Sequence, residues 1–132
     1  MLLQPTSPFR SVETIQNAID LFNDCDGESV VSVSSAKPHP YWCKTIQNGV
    51  LKPYTPETKD KANLNAQELP DIYQLNGLIY LASVETILTN RSFYSENTMA
   101  LIINSDEEAI DIDTPLDWAL AEAVANKLGV NQ

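Results

Sequence analysis

The chain has 132 residues, 43% of them hydrophobic and 20% charged; 8 Lys and Arg against 18 Asp and Glu leave a net charge of −10. That length suits a single domain over residues 1–132, and that balance excludes a disordered chain. The negative charge argues against nucleic acid and anionic membrane surfaces as partners, because a polyanion is repelled before any specific contact forms. No apolar run approaches the roughly 20 residues that cross a bilayer, and the first residues lack the charged and apolar segments of a signal peptide. The expected location is cytoplasmic.

Met1-Leu2-Leu3-Gln4 reads as the end of a buried strand, and Pro5, Ser7 and Pro8 then impose a loop. Ser11 is placed to cap a helix whose apolar positions Val12, Ile15, Ala18, Ile19 and Phe22 recur at helical spacing, with Gly27 as a stop signal. Ser29 to Ser35 has the β-branched content of a strand. Strand, loop, helix and strand in this order make a βαβ unit, which predicts a parallel sheet with helices packed on it.

Residues 36–70 differ: they carry five of the eight prolines and five of the eight basic residues. Asn48-Gly49 lies between Lys44-Thr45-Ile46 and Val50-Leu51, the strongest hairpin signal in the chain. With the polar stretch 55–68 behind it, this region reads as a projecting hairpin and loop inserted in the domain, of the kind that serves binding or oligomer contact. Beyond Pro70, Leu75 to Leu81 predicts a strand, Ser83 to Asn90 a short helix and Ala100 to Asn104 another strand. Ile110-Asp111-Ile112-Asp113 alternates as a strand does. Thr114, Pro115 and Asp117 then form a helix start with a capping box, ahead of an apolar stripe of Leu116, Leu120, Ala123, Val124 and Leu128. The class is α/β.

Little here suits nucleophilic or zinc chemistry. Cys25, Cys43 and His39 supply neither a disulfide framework nor paired metal-ligand spacing. His39 and Cys43 make a nucleophile pair only across Pro40; two ordinary residues is the simpler account. Asp111 and Asp113 are more suggestive. On one face of a strand they would stand roughly 7 Å apart, beside a helix start, where two carboxylates suit Mg²⁺. The alternative is that both are solvated or capping acids. The loop 2–10 is either an ordinary strand-to-helix turn or a place for an anion or sugar hydroxyl. Asn76, inside an apolar strand, must find hydrogen-bond partners or face a cavity. Phe93 and Tyr94 are core residues by default.

Six segments taken together resemble the acylneuraminate cytidylyltransferase family. They are L-L-Q-P-T-S-P-F-R at 2–10, V-V-S-V at 30–33, H-P-Y-W-C-K at 39–44, Y-Q-L-N-G-L-I-Y at 73–80, S-F-Y at 92–94 and I-D-I-D-T-P-L-D at 110–117. The family joins CTP to the anomeric hydroxyl of a nine-carbon α-keto acid sugar and releases pyrophosphate with the help of Mg²⁺. The resemblance implies a partial Rossmann-like nucleotide-diphospho-sugar transferase fold, with a mixed, mostly parallel sheet and a projecting β-hairpin for oligomerisation. It implies sugar contacts at Gln4, Asn76, Tyr80, Phe93 and Tyr94, and metal-associated aspartates at Asp111 and Asp113. Lys44 matches a basic residue that relatives offer to a neighbouring subunit's site.

Two departures qualify that expectation. Ala66 stands where the family often has an arginine that meets the acidic end of the sugar. The family's glycine- and lysine-containing phosphate loop belongs upstream of the first of these segments, and the four glycines here, Gly27, Gly49, Gly77 and Gly129, make no such loop. The expectation is a truncated cytidylyltransferase-like protein, inactive alone, that keeps a sugar and metal site. An active split enzyme completed by another chain, or a folded remnant without ligand, are the alternatives. Strands deprived of neighbours would leave an apolar edge, so a homodimer or higher oligomer is expected.

Overall fold

The computed structural model describes residues 1–24, 26–54 and 65–130. Its elements in chain order are α1 (Val12–Asp24), β1 (Ser29–Ser35), β2 (Lys44–Gln47), β3 (Val50–Pro53), β4 (Tyr73–Ala82), α2 (Val84–Asn90), β5 (Met99–Ile102) and α3 (Pro115–Leu128). Short 3₁₀ turns cover Pro40–Trp42 and Ala66–Glu68. The class is α/β, as expected. Contacts divide the chain into two compact units, one of residues 1–34 with 75–132 and one of residues 35–74. The insertion expected at 36–70 falls in the second; its stretch 55–64 lies outside the described residues, as does Cys25.

In the first unit the sheet runs β4-β1-β5. β1 and β5 are parallel, with Val30 opposite Met99 and Val33 opposite Ile102. On the far side of β4, Leu2 and Tyr80 form an isolated antiparallel bridge, so the neighbours are mixed in direction. This corrects the expected opening strand and its βαβ unit: the parallel neighbour of β1 is β5, reached through α2. Met1 to Gln4 adds one bridge and no strand, because Pro5 has no N–H to continue a ladder.

The core is small and sits where α1 meets the sheet. Ala18, Leu78, Ile79 and Ile103 are buried together, with Ile15, Leu81 and Leu101 packed against them. Each fully buried Leu or Ile contributes roughly 1.5–3 kcal/mol through water exclusion. The Ser11 hydroxyl accepts from the Thr14 N–H at 3.0 Å and so caps α1 as expected. Ser83 caps α2 in the same way through Thr86.

The start of α3 also matches its sequence. The Thr114 side chain accepts from the Asp117 N–H while the Asp117 carboxylate accepts from the Thr114 N–H, with Pro115 in the first turn. Its expected apolar stripe is not the buried one. Leu116, Leu120 and Leu128 are exposed and the helix buries Ala121. A periodic stripe records which residues are apolar; which of them is covered depends on what packs there, and Ala121 faces Pro8, Phe9 and Ile112 across a cleft of about 510 Å³.

In the second unit β2 and β3 pair antiparallel, with Gln47 opposite Val50 and Ile46 opposite Leu51. Asn48 and Gly49 both adopt positive φ, 52° and 78°, as a two-residue turn matched to strand twist requires. The hairpin exposes Ile46, Val50 and Leu51.

Candidate functional site

The middle of β4 is the most polar part of the core. Ser32 on β1 donates its hydroxyl proton to Asn76 Oδ1 at 2.6 Å and accepts the Ile79 N–H at 2.8 Å. The Leu78 N–H donates to the same Asn76 oxygen at 3.2 Å. With two donors on the oxygen, the orientation of the carboxamide is fixed and its nitrogen is the end left over. Asn76 is 5% exposed, and its Nδ2 is buried without a hydrogen-bond partner among the described residues. The two readings of this residue therefore divide between its atoms: the oxygen is structural and the nitrogen is free for a ligand.

The next residue, Gly77, has φ +74° in mid-strand. The backbone there is bare, and the N-terminal loop fills the space. A Cβ built on Gly77 would overlap Gln4 Oε1 and would stand 3.5 Å from both Asp111 Oδ2 and Ser7 Oγ. Gln4, Ser7 and Asp111 thus meet at one point of the sheet. Among the described residues Ser7, 1% exposed, has no partner for its hydroxyl, and Asp111 Oδ1 is likewise buried without one. A buried polar atom left unsatisfied costs roughly 1–3 kcal/mol, which makes such atoms candidates for a ligand, ion or water.

Main-chain ties hold this arrangement. Leu2 and Tyr80 exchange backbone hydrogen bonds of 2.7 and 3.1 Å. Arg10 donates from Nε to the Leu78 carbonyl and from Nη2 to the Gln4 carbonyl, both at 2.9 Å, pinning the loop to β4. Burial pulls the Arg10 guanidinium below its ordinary value, and the charge of Glu108 opposes that. Glu108 in turn accepts from the Ser11 N–H and the Thr14 hydroxyl at 2.8 Å each, which fastens the 105–110 turn to the start of α1. The Ile112 N–H donates to the Thr6 carbonyl at 2.9 Å and brings Asp111 to the loop.

The aspartates differ from the expectation drawn from alternation. Residues 110–113 form no strand. No neighbouring strand pairs with them; their N–H groups go instead to Glu107 O, Thr6 O and the Asp117 carboxylate. Asp111 is drawn into the site. Asp113 is exposed, and its N–H donates to Asp117. Asp111, Gln4 and Ser7 present hard oxygens, which fit Mg²⁺ better than a softer ion. Among the described residues no group of three or more His, Cys, Asp or Glu could hold a metal.

A second group is aromatic. The Tyr80 ring lies 5.8 Å from Phe93 and 6.5 Å from Tyr94, tilted and edge-on respectively. Burial, and then the neighbouring Tyr80, raise the Tyr94 phenol above its ordinary value. The residues singled out from the sequence in the first unit thus fall into two groups, Gln4, Asn76 and Asp111 around Gly77 and the aromatic Tyr80, Phe93 and Tyr94. Ser7 and Arg10 lie within the candidate loop 2–10, whereas Gly77 and Glu108 were not singled out from the sequence. Only Gly77 left a local signal, since a glycine inside an apolar strand often marks a close approach.

The remaining candidates lie in the second unit. Lys44 opens β2 and is exposed. His39 is buried and fully engaged: Nδ1 accepts from the Tyr41 N–H, and Nε2 faces the Pro70 carbonyl at 3.3 Å. Cys43 Sγ donates to the His39 carbonyl at 3.8 Å and is not bonded to the imidazole ring.

A mixed α/β sheet with polar side chains gathered beside one strand is compatible with many functions, since a fold alone fixes none. Sequence comparison narrows this: the chain is homologous to part of the acylneuraminate cytidylyltransferases. It is 49% identical over 124 residues to a CMP-N,N′-diacetyllegionaminic acid synthase of Legionella pneumophila, covering 92% of this chain and 51% of that protein. N-acylneuraminate cytidylyltransferases of Streptococcus agalactiae and Escherichia coli are 32% and 30% identical over 120 and 128 residues. Those matches cover 89% and 96% of this chain, and 28% and 29% of the relatives. The chain thus spans about half of the first relative and under a third of the other two. No family model matches it. Among the described residues no helix is long and apolar enough to cross a membrane.

Proposed function

We propose that this chain carries the sugar and metal side of a cytidylyl transfer, in a partial nucleotide-diphospho-sugar transferase fold, and does not turn over CTP by itself. The observation that supports this most is the set of buried, unpartnered atoms Ser7 Oγ, Asn76 Nδ2 and Asp111 Oδ1 on segments matched by the relatives. Asn76 Nδ2 donates to a sugar oxygen, and Gln4 accepts a sugar hydroxyl. Tyr80, Phe93 and Tyr94 give the apolar wall against which a sugar ring packs. Asp111 would hold Mg²⁺, with the exposed Asp113 two residues on as a further carboxylate, and the ion would offset phosphate charge. Lys44 and the β2–β3 hairpin serve a second copy of the chain, making a homodimer or higher oligomer in the cytoplasm.

Titration with N-acetylneuraminic acid in the presence of Mg²⁺, followed by ¹⁵N NMR, is expected to shift the Asn76 side-chain amide saturably. Asp111→Asn is expected to abolish the Mg²⁺ dependence. No saturation with this acid or a legionaminic relative overturns the binding reading, and release of pyrophosphate from CTP by the chain alone overturns the proposed inactivity. A monomer in sedimentation at micromolar concentration overturns the proposed oligomer.

A further inference from the structure

The homologous segments account for Gln4 and Asn76, but they do not say why the carboxamide of a loop residue lies against the centre of a strand. A side chain on a strand residue normally keeps the neighbouring backbone at a distance. At Gly77 there is none, and φ +74° turns the peptide into a region that L residues rarely occupy. The space a Cβ would take is held by Gln4 Oε1, with Asp111 Oδ2 and Ser7 Oγ at its edge. Arg10 ties the Gln4 carbonyl to the carbonyl of Leu78, so relief of an overlap falls to the Gln4 side chain, whose carboxamide must swing off its seat.

We propose that Gly77 is a positioning residue: its bareness seats the Gln4 carboxamide in an oxygen-lined recess shared with Asp111 and Ser7. Three oxygens around one point accept hydrogen bonds, so the recess selects a hydroxyl-bearing group and disfavours a bare carboxylate. Ser7 is the member that adjusts, because its hydroxyl both donates and accepts. The assignment deepens the sugar-binding reading and rests on it for the ligand, but the steric part stands without any ligand.

The test is a double-mutant cycle on the full chain with Gly77→Ala, Gln4→Ala and their combination. Gly77→Ala carries a backbone cost in every background and a collision only where Gln4 is present, so the cycle isolates the collision. The single Gly77→Ala is expected to lower the unfolding midpoint by about 5–10 °C. Only the part due to the overlap, smaller than the backbone part, should return in the double variant. Additive losses overturn the proposal. If Gly77→Ala is insoluble, recovery of soluble double variant supports it, and failure of both overturns it.

The second readout is affinity for N-acetylneuraminic acid. Gly77→Ala and Gln4→Ala are expected to weaken binding by a similar factor, on the order of tenfold, and the double variant by no more than either. A further loss in the double variant would mean that Gly77 acts without Gln4 and would overturn the assignment. Wild-type chain that shows no binding removes the sugar reading and leaves the stability cycle to decide the steric claim.

Discussion

The centre of β4 and the β2–β3 hairpin are both strands of mixed polar and apolar residues, but different forces specify them. The hairpin is set locally: Asn48 and Gly49 turn the chain, and Ile46 meets Leu51 across it while both stay exposed. In β4, residues 76–79 are buried, and their geometry depends on Ser32, Gln4, Arg10 and Asp111 from distant parts of the sequence. Turn chemistry is enough for the first. The second exists only when the far segments are in place.

Substitutions can break this contrast or sharpen it. The largest expected effect is at Leu78, fully buried: Leu78→Ala should cost about 2–5 kcal/mol in denaturant unfolding, through lost transfer energy and the cavity left behind. Ser32→Ala comes next. It strips the Ile79 N–H of its acceptor and Asn76 Oδ1 of a donor, so about 1–3 kcal/mol should be lost in the same measurement.

Asp117 gives a smaller, pH-dependent effect at another locally specified site. The Thr114 hydroxyl and backbone hold its carboxyl below the ordinary value of 3.8. A lowered carboxyl contributes stability above its unfolded value and loses it as pH falls through the folded one. The stability difference between wild type and Asp117→Asn should therefore be visible at about pH 6 and shrink by about pH 3 in thermal melts followed by circular dichroism. The smallest effect is expected at Leu51, 67% exposed, where Leu51→Ala should stay within about 0.5 kcal/mol of wild type. A loss there as large as at Leu78 would show that the hairpin is buried in an assembly.

The same division explains what the sequence made legible. Thr114, Pro115 and Asp117 announced α3, Ser11 announced α1 and Asn48-Gly49 announced the hairpin, because caps and turns are satisfied within a few residues. The alternation at 110–113 misled: period two needs a partner strand to become β structure, and these N–H groups found Glu107, Thr6 and Asp117 instead. The stripe on α3 misled for a related reason, since exposed Leu116 and Leu120 satisfy the pattern as well as buried residues would. In the site, residue types such as Gln4 and Asn76 stood out, whereas the ties made by Arg10 and Glu108 did not. Arg10 reaches Leu78 across 68 positions and Glu108 reaches Ser11 across 97, and no local pattern records such a bond.

The span of those ties has a consequence for biosynthesis. Gln4 and Ser7 leave the ribosome before Gly77, and Gly77 before Asp111, so the recess they share cannot close until residue 111 has been made. Until then the Arg10 guanidinium has no carbonyl of Leu78 to hold and remains hydrated. A nascent chain halted before residue 111 would thus hold its locally specified hairpin while Gly77 and Gln4 still lacked Asp111.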